Sequence, residues 1–145
     1  MNAMRTLLLA AAVVTASACG GSSDSQSTTS PSVTVGPSTA LFEGQIDPGG
    51  FAFYSFTVQQ TGNVNLMLAS VTASAEPGTS SSVVLGLALG TPAGTDCSIT
   101  NSIQASAGLT SQLVVNMPPG IYCARVYDIG NLRSTVNFAA RIVHT

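Results

Sequence analysis

The sequence predicts an all-β fold: an antiparallel, jelly-roll-like β-sandwich of about seven to eight strands. Three observations carry that expectation. From Val33 onward apolar and polar residues alternate with period two in one segment after another; Gly- and Pro-rich turn signals separate the segments at short intervals; and no helical periodicity follows the N-terminal segment.

Taken in order, the first strand is expected over Leu41–Ile46, and the second over Ala52–Val58, with Tyr54, Phe56 and Val58 on one face. Val64, Leu66 and Leu68 alternate with Asn63, Asn65 and Met67 in the third, and Val83, Leu85, Leu87 and Leu89 with Val84, Gly86 and Ala88 in the fourth. Leu109–Met117 and Ile121–Asp128 follow, and Val136, Phe138, Ala140 and Ile142 alternate with Asn137, Ala139 and Arg141 in the last. Each pattern suits a strand with one face in a core and one in water, because successive side chains point to opposite faces. Turn signals stand between them: DPGG at 47–50, QQTGN at 59–63, EPGTS at 76–80 and MPPG at 117–120.

The N-terminus is built differently. Residues 1–18 hold one cation, Arg5, then an apolar run from Leu7 to Val14, then small residues before Cys19, the order of a secretory signal. Crossing a bilayer takes about 20 apolar residues, and this run is roughly half that. Ala16-Ser17-Ala18-Cys19 resembles the lipobox of bacterial lipoproteins. The resemblance implies cleavage before Cys19, a diacylglyceride on its sulfur and a mature protein held to a membrane by that lipid. Gly20, in place of the Asp that often marks inner-membrane retention, points to the outer membrane of the cell envelope. Residues 19–38 are Gly-, Ser- and Thr-rich and bury too little apolar surface to offset their ordering entropy, so a tether is expected there, followed by the folded domain at 39–145.

Composition narrows the partners. Charged residues make up 7% of the chain, lysine is absent and the net charge is −2, so no basic surface is available to neutralise phosphates and nucleic acid is not an expected partner. The domain segments FEGQIDPGGFAFYSFTV, GNVNLMLAS, VVLGLALG and PPGIYCARVYD resemble the bacterial pre-peptidase C-terminal domain, over roughly residues 40–143. That resemblance implies a β-sandwich, usually appended to secreted peptidases or other exported enzymes. No enzyme sequence accompanies the domain in these 145 residues, so a free-standing lipoprotein is the expectation.

The stretch IYCARVYDIG at 121–130 gathers a thiol, a guanidinium, two phenols and a carboxylate. On a strand, Tyr122, Ala124 and Val126 share one face and Cys123, Arg125 and Tyr127 the other. With Cys19 assigned to lipid, Cys97 and Cys123 remain, and an oxidising compartment favours a disulfide between them. Cys97 follows TPAGTD and is expected in a long connection that the bridge would pin to the sheet. A nucleophilic cysteine would need a base, and the one histidine, His144, stands next to the C-terminus. Arg125, Tyr127 and Asp128 form a candidate ligand surface, set against an outward strand face on which Arg125 pairs with a nearby acid. Asp47, Asp96 and Asp128 could supply oxygens to calcium if they met at one rim, although turn aspartates usually bond local amides.

Metallohydrolase, nucleophile-elbow and phosphate-loop motifs are absent from the sequence, as is a lysine for a Ser–Lys dyad. The two glutamates, Glu43 and Glu76, do not suggest an enclosed glycosidase pair. The expectation is a non-enzymatic envelope lipoprotein without cofactor or metal, whose sandwich binds a protein, peptide or envelope polymer. The alternatives are a purely structural surface lipoprotein and an accessory subunit of a separate secreted peptidase. A carbohydrate module is less favoured, because tryptophan is absent and most aromatics are Phe at inward-looking positions.

Overall fold

The computed structural model describes residues 36–75 and 81–145; the signal segment, Cys19, most of the tether and the turn signal at 76–80 lie outside the described residues. Among the described residues eight strands form: β1 (Ser38–Ile46), β2 (Phe51–Val58), β3 (Gly62–Ala73), β4 (Leu85–Ala93), β5 (Asp96–Ala105), β6 (Leu113–Met117), β7 (Gly120–Tyr127) and β8 (Val136–His144). They make two four-stranded sheets, ordered β1-β8-β3-β6 and β2-β7-β4-β5, and every pairing is antiparallel. Strand β1 lies beside β8, β2 beside β7, β3 beside β6 and β4 beside β5, so the second half of the chain runs back along the first. This is jelly-roll connectivity, and it leaves β4–β5 as the one consecutive pair within a sheet.

The expected alternation builds the core. Val64, Leu66 and Leu68 of β3 and Phe138, Ala140 and Ile142 of β8 face Leu85, Leu87 and Leu89 of β4 and Ala124 and Val126 of β7, all buried. Each fully buried large aliphatic or aromatic side chain contributes about 1.5–3 kcal/mol. At one side of the core the Phe42 ring meets Phe138 edge-on at 4.9 Å and stacks on Tyr54 at 5.8 Å.

The DPGG signal forms a tight turn from β1 into β2. Gly50 N–H donates to the Asp47 carbonyl at 2.8 Å, and Gly49, with φ 74°, takes the third position. Pro at the second position and a positive φ at the third are the requirements of a type II turn.

Three departures from the expected pattern have local causes. In β3 the register against β8 shifts between Leu68 and Ser70, so Val71 turns inward where Ser70 would have, and the strand continues to Ala73. In β4, residues Leu85 to Gly90 are buried on both faces, because the outward positions Gly86, Ala88 and Gly90 are themselves covered. The segment expected as a strand from Leu109 enters strand geometry only at Leu113. Before it, residues 106–112 fold as a loop fastened to β3. The Gln112 side chain accepts the Leu68 N–H at 2.8 Å and donates to the Leu68 and Ser106 carbonyls, standing in for a paired strand residue.

The placement of Cys97 is a correction. It lies in β5, not in a long connection: β4 and β5 are joined by a two-residue turn, Gly94-Thr95, with Ala93 opposite Asp96 and Gly94 at φ 63°. Glycine at the first central position is what a primed hairpin turn needs. Strand β5 was not legible because DCSITNSIQA is an edge strand that is exposed along most of its length and lacks a core-facing row.

Candidate functional site

Alternation in FAFYSFTV places aromatic residues on both faces of β2. Tyr54, Phe56 and Val58 face the core side, as expected, which sends Phe51 and Phe53 outward. The register sets Phe51 opposite Tyr127 and Phe53 opposite Arg125, so three rings and one guanidinium share the outer face of the sheet. These phenylalanines qualify the inward-looking reading of the aromatics: Phe42, Phe56 and Phe138 are buried, but Phe51 is 42% exposed. The parity of the strand was the signal that could have found them.

Arg125 is the centre of this surface. Its guanidinium carbon stands 3.9 Å from the Phe51 ring centroid and 5.6 Å from that of Tyr127, and Nη1 lies 3.0 Å from Asp96 Oδ1. Asp96 is half exposed, so the ion pair is worth at most about 1 kcal/mol, comparable with the cation–π contact. Arg125 Nε is buried without a hydrogen-bond partner among the described residues. The side chain is thereby held over Phe51 with its charge at the surface.

The neighbouring β4 makes room for this arrangement. A Cβ on Gly86 would run into the Tyr127 ring, and one on Gly90 would collide with the Ser98 carbonyl of β5. Strand β5 therefore closes down over Gly90, and this close approach lets Cys97 reach past β4 to Cys123, which lies opposite Gly90 on β7. The disulfide forms, with an S–S distance of 2.01 Å and Cα atoms 5.9 Å apart. Both sulfur-bearing residues are buried, and neither offers a free thiol.

Asp128 does not join Arg125 and Tyr127 on this surface. Its Oδ1 accepts the N–H groups of Gly130, Asn131 and Leu132 at 2.9–3.1 Å, and Oδ2 accepts that of Gly49 at 2.8 Å. Burial pushes its pKa up, but the four backbone donors outweigh that effect and hold the carboxyl below the ordinary range. Asp128 thus organises the loop after β7 and ties it to the β1–β2 turn. Asp47 sits at the same rim and accepts from the Thr135 hydroxyl. Asp96 is elsewhere, engaged with Arg125 and with the Cys97 N–H. The three aspartates considered for calcium do not converge, and among the described residues no group of three or more His, Cys, Asp or Glu side chains does.

The remaining candidates fall apart in space. His144 is buried with its ring 5.0 Å from Phe56, and its Nδ1 has no hydrogen-bond partner among the described residues. Glu43 lies exposed on the outer face of β1. Two shallow grooves, of about 440 and 420 Å³, cross the outer face of the β1 sheet, away from the rings and Arg125. No protein-family model matches the chain, and no curated protein matches it.

Proposed function

We propose that the protein is a non-enzymatic, lipid-anchored component of the bacterial cell envelope, attached through Cys19 and facing a protein, peptide or envelope polymer with the outer surface of its β2 sheet. One observation carries the binding role: Phe51, Phe53 and Tyr127 stand around Arg125 on one sheet face, with Phe51 exposed and the cation held over it. Aromatic and Arg side chains on a preorganised surface lose little entropy on binding, which is why such groups dominate recognition hot spots. The likeness of residues 40–143 to the pre-peptidase C-terminal domain supports a module that contacts other exported macromolecules. The lipobox-like Ala16-Ser17-Ala18-Cys19 and the Gly20 that follows support anchoring at the outer membrane.

One experiment addresses both halves. Tagged full-length protein is expected in the membrane fraction carrying acyl mass on Cys19, with Cys19→Ala released. Cross-linked partners recovered from the wild type are expected to be lost in Phe51→Ser. Fully soluble wild-type protein without acyl mass would refute the anchor, and identical partner profiles for wild type and Phe51→Ser would refute the binding face.

A further inference from the structure

The outer face of the β1 sheet carries a separate feature. Along β8 the outward side chains are Asn137, Ala139, Arg141 and Val143, and the two grooves lie end to end over them. The groove of about 420 Å³ has Arg141 with Asn65, Thr110 and Ser111 as polar lining, and Met67, Leu109 and Val143 as apolar wall.

Leu109 is the anomaly. It is 95% exposed, yet its loop is firmly held: Gly108 N–H donates to the Leu68 carbonyl at 2.9 Å, Gln112 N–H donates to the Leu66 carbonyl at 3.1 Å, and the Gln112 amide bridges Leu68 and Ser106. A rigid loop is presenting an aliphatic side chain to solvent beside a cation. Arg141 makes no ion pair among the described residues, unlike Arg125 with Asp96. Arg141 is thus a cation without an ion pair among the described residues, and it lines a groove with an apolar wall.

We propose that this groove binds the C-terminus of an extended peptide, with the terminal carboxylate on Arg141 and an aliphatic last side chain against Met67, Leu109 and Val143. A guanidinium fork matches a carboxylate with two parallel hydrogen bonds, and the Thr110 and Ser111 hydroxyls offer further donors. The adjoining groove of about 440 Å³ favours a peptide over a small carboxylic acid. Gln45, Ser70, Thr72 and Asn137 line it with the donors and acceptors that a peptide backbone requires, and small Ala139 leaves the path between the grooves open. From Asn137 to Val143 the trough spans roughly 20 Å at the usual strand rise, enough for five or six extended residues. Glu43 at the far end selects against an acidic residue upstream.

The test is titration of the purified full-length chain with an acetylated tetrapeptide ending in leucine, followed by amide resonances of residues 137–143. The free acid is expected to bind about tenfold more tightly than the same peptide with a C-terminal amide, the scale of one charge-assisted contact. Arg141→Gln should erase that difference, Arg141→Lys should restore part of it, and Leu109→Ser should weaken both peptides. Both substituted side chains are exposed, so the variants keep the core intact. Equal binding of acid and amide, absence of binding at millimolar peptide, or octanoate binding as tightly as the peptide acid would each overturn the proposal.

Discussion

Asp128 shows how one carboxylate can be occupied without being a ligand site. Its four backbone donors come from two separate connections, at Gly49 and at Gly130 to Leu132, so its charge holds the β1–β2 turn against the β7–β8 loop. Because these bonds lower its folded-state pKa, the stabilisation is complete above the ordinary aspartate value of about 3.9 and is lost as pH falls through the lower folded value. We expect Asp128→Asn to lower the melting temperature at neutral pH, since an amide nitrogen cannot accept the Gly49 N–H. The gap to wild type should close on acidification below the carboxylate range. A melting-temperature series against pH checks this, and a gap that stays constant to pH 2 would show that the charge contributes nothing.

At the scale of elements, β4 is shaped by what lies on its outer side. Its inward leucines are readable from alternation with Gly86 and Ala88, but the reason for glycine at 86 and 90 lies in Tyr127 and β5, which cover those positions. The two glycines differ in what they face. Gly90 meets the Ser98 backbone carbonyl, which moves only if the strand moves, whereas Gly86 meets a side-chain ring that can rotate away. Gly90→Ala is therefore expected to destabilise the protein by about 2 kcal/mol or more, within the upper range for overpacking, and Gly86→Ala by less. Chemical denaturation of the two variants measures the order, and a reversed order would mean that β5 is free to shift. The same closing of β5 puts a bulge at Thr100, where the register against β4 slips between Leu89 and Gly90 and the Thr100 hydroxyl donates to the Leu89 carbonyl at 3.1 Å. No charged residue protects this edge from Cys97 to Ala105, so the bulge is what bends it away from flat pairing with another chain.

For the whole molecule, the Cys97–Cys123 bridge closes a loop of 26 residues that includes all of β6. In the chain-entropy treatment such a loop contributes roughly 3–4 kcal/mol by restricting the unfolded chain. Reduction of the wild type and the Cys123→Ser substitution should lower the unfolding free energy by a similar amount, of order 3 kcal/mol, and reductant should have no further effect on the variant. Denaturation curves with and without reductant read this directly. Indifference of the wild type to reductant, once mass confirms that the bond is broken, would mean that β5 is held by its packing alone.

The sequence by itself determined the class of fold, seven of the eight strands and the pairing of the two domain cysteines. It could do so because a buried face writes period-two alternation into the chain, and two cysteines within the segment 39–145 leave one pairing inside the domain. It also determined that Arg125 and Tyr127 share a face, since parity along a strand is local. Tertiary structure alone decided what those residues touch. That Asp96 and not Asp128 is the acid beside Arg125, that Phe51 lies under its guanidinium, and that Leu109 and Arg141 line one groove all depend on how segments far apart in the chain are brought together. Strand β5 belongs with them: an edge strand has no core-facing row to leave in the sequence, so only the close approach over Gly90 and the bond to Cys123 reveal where it lies.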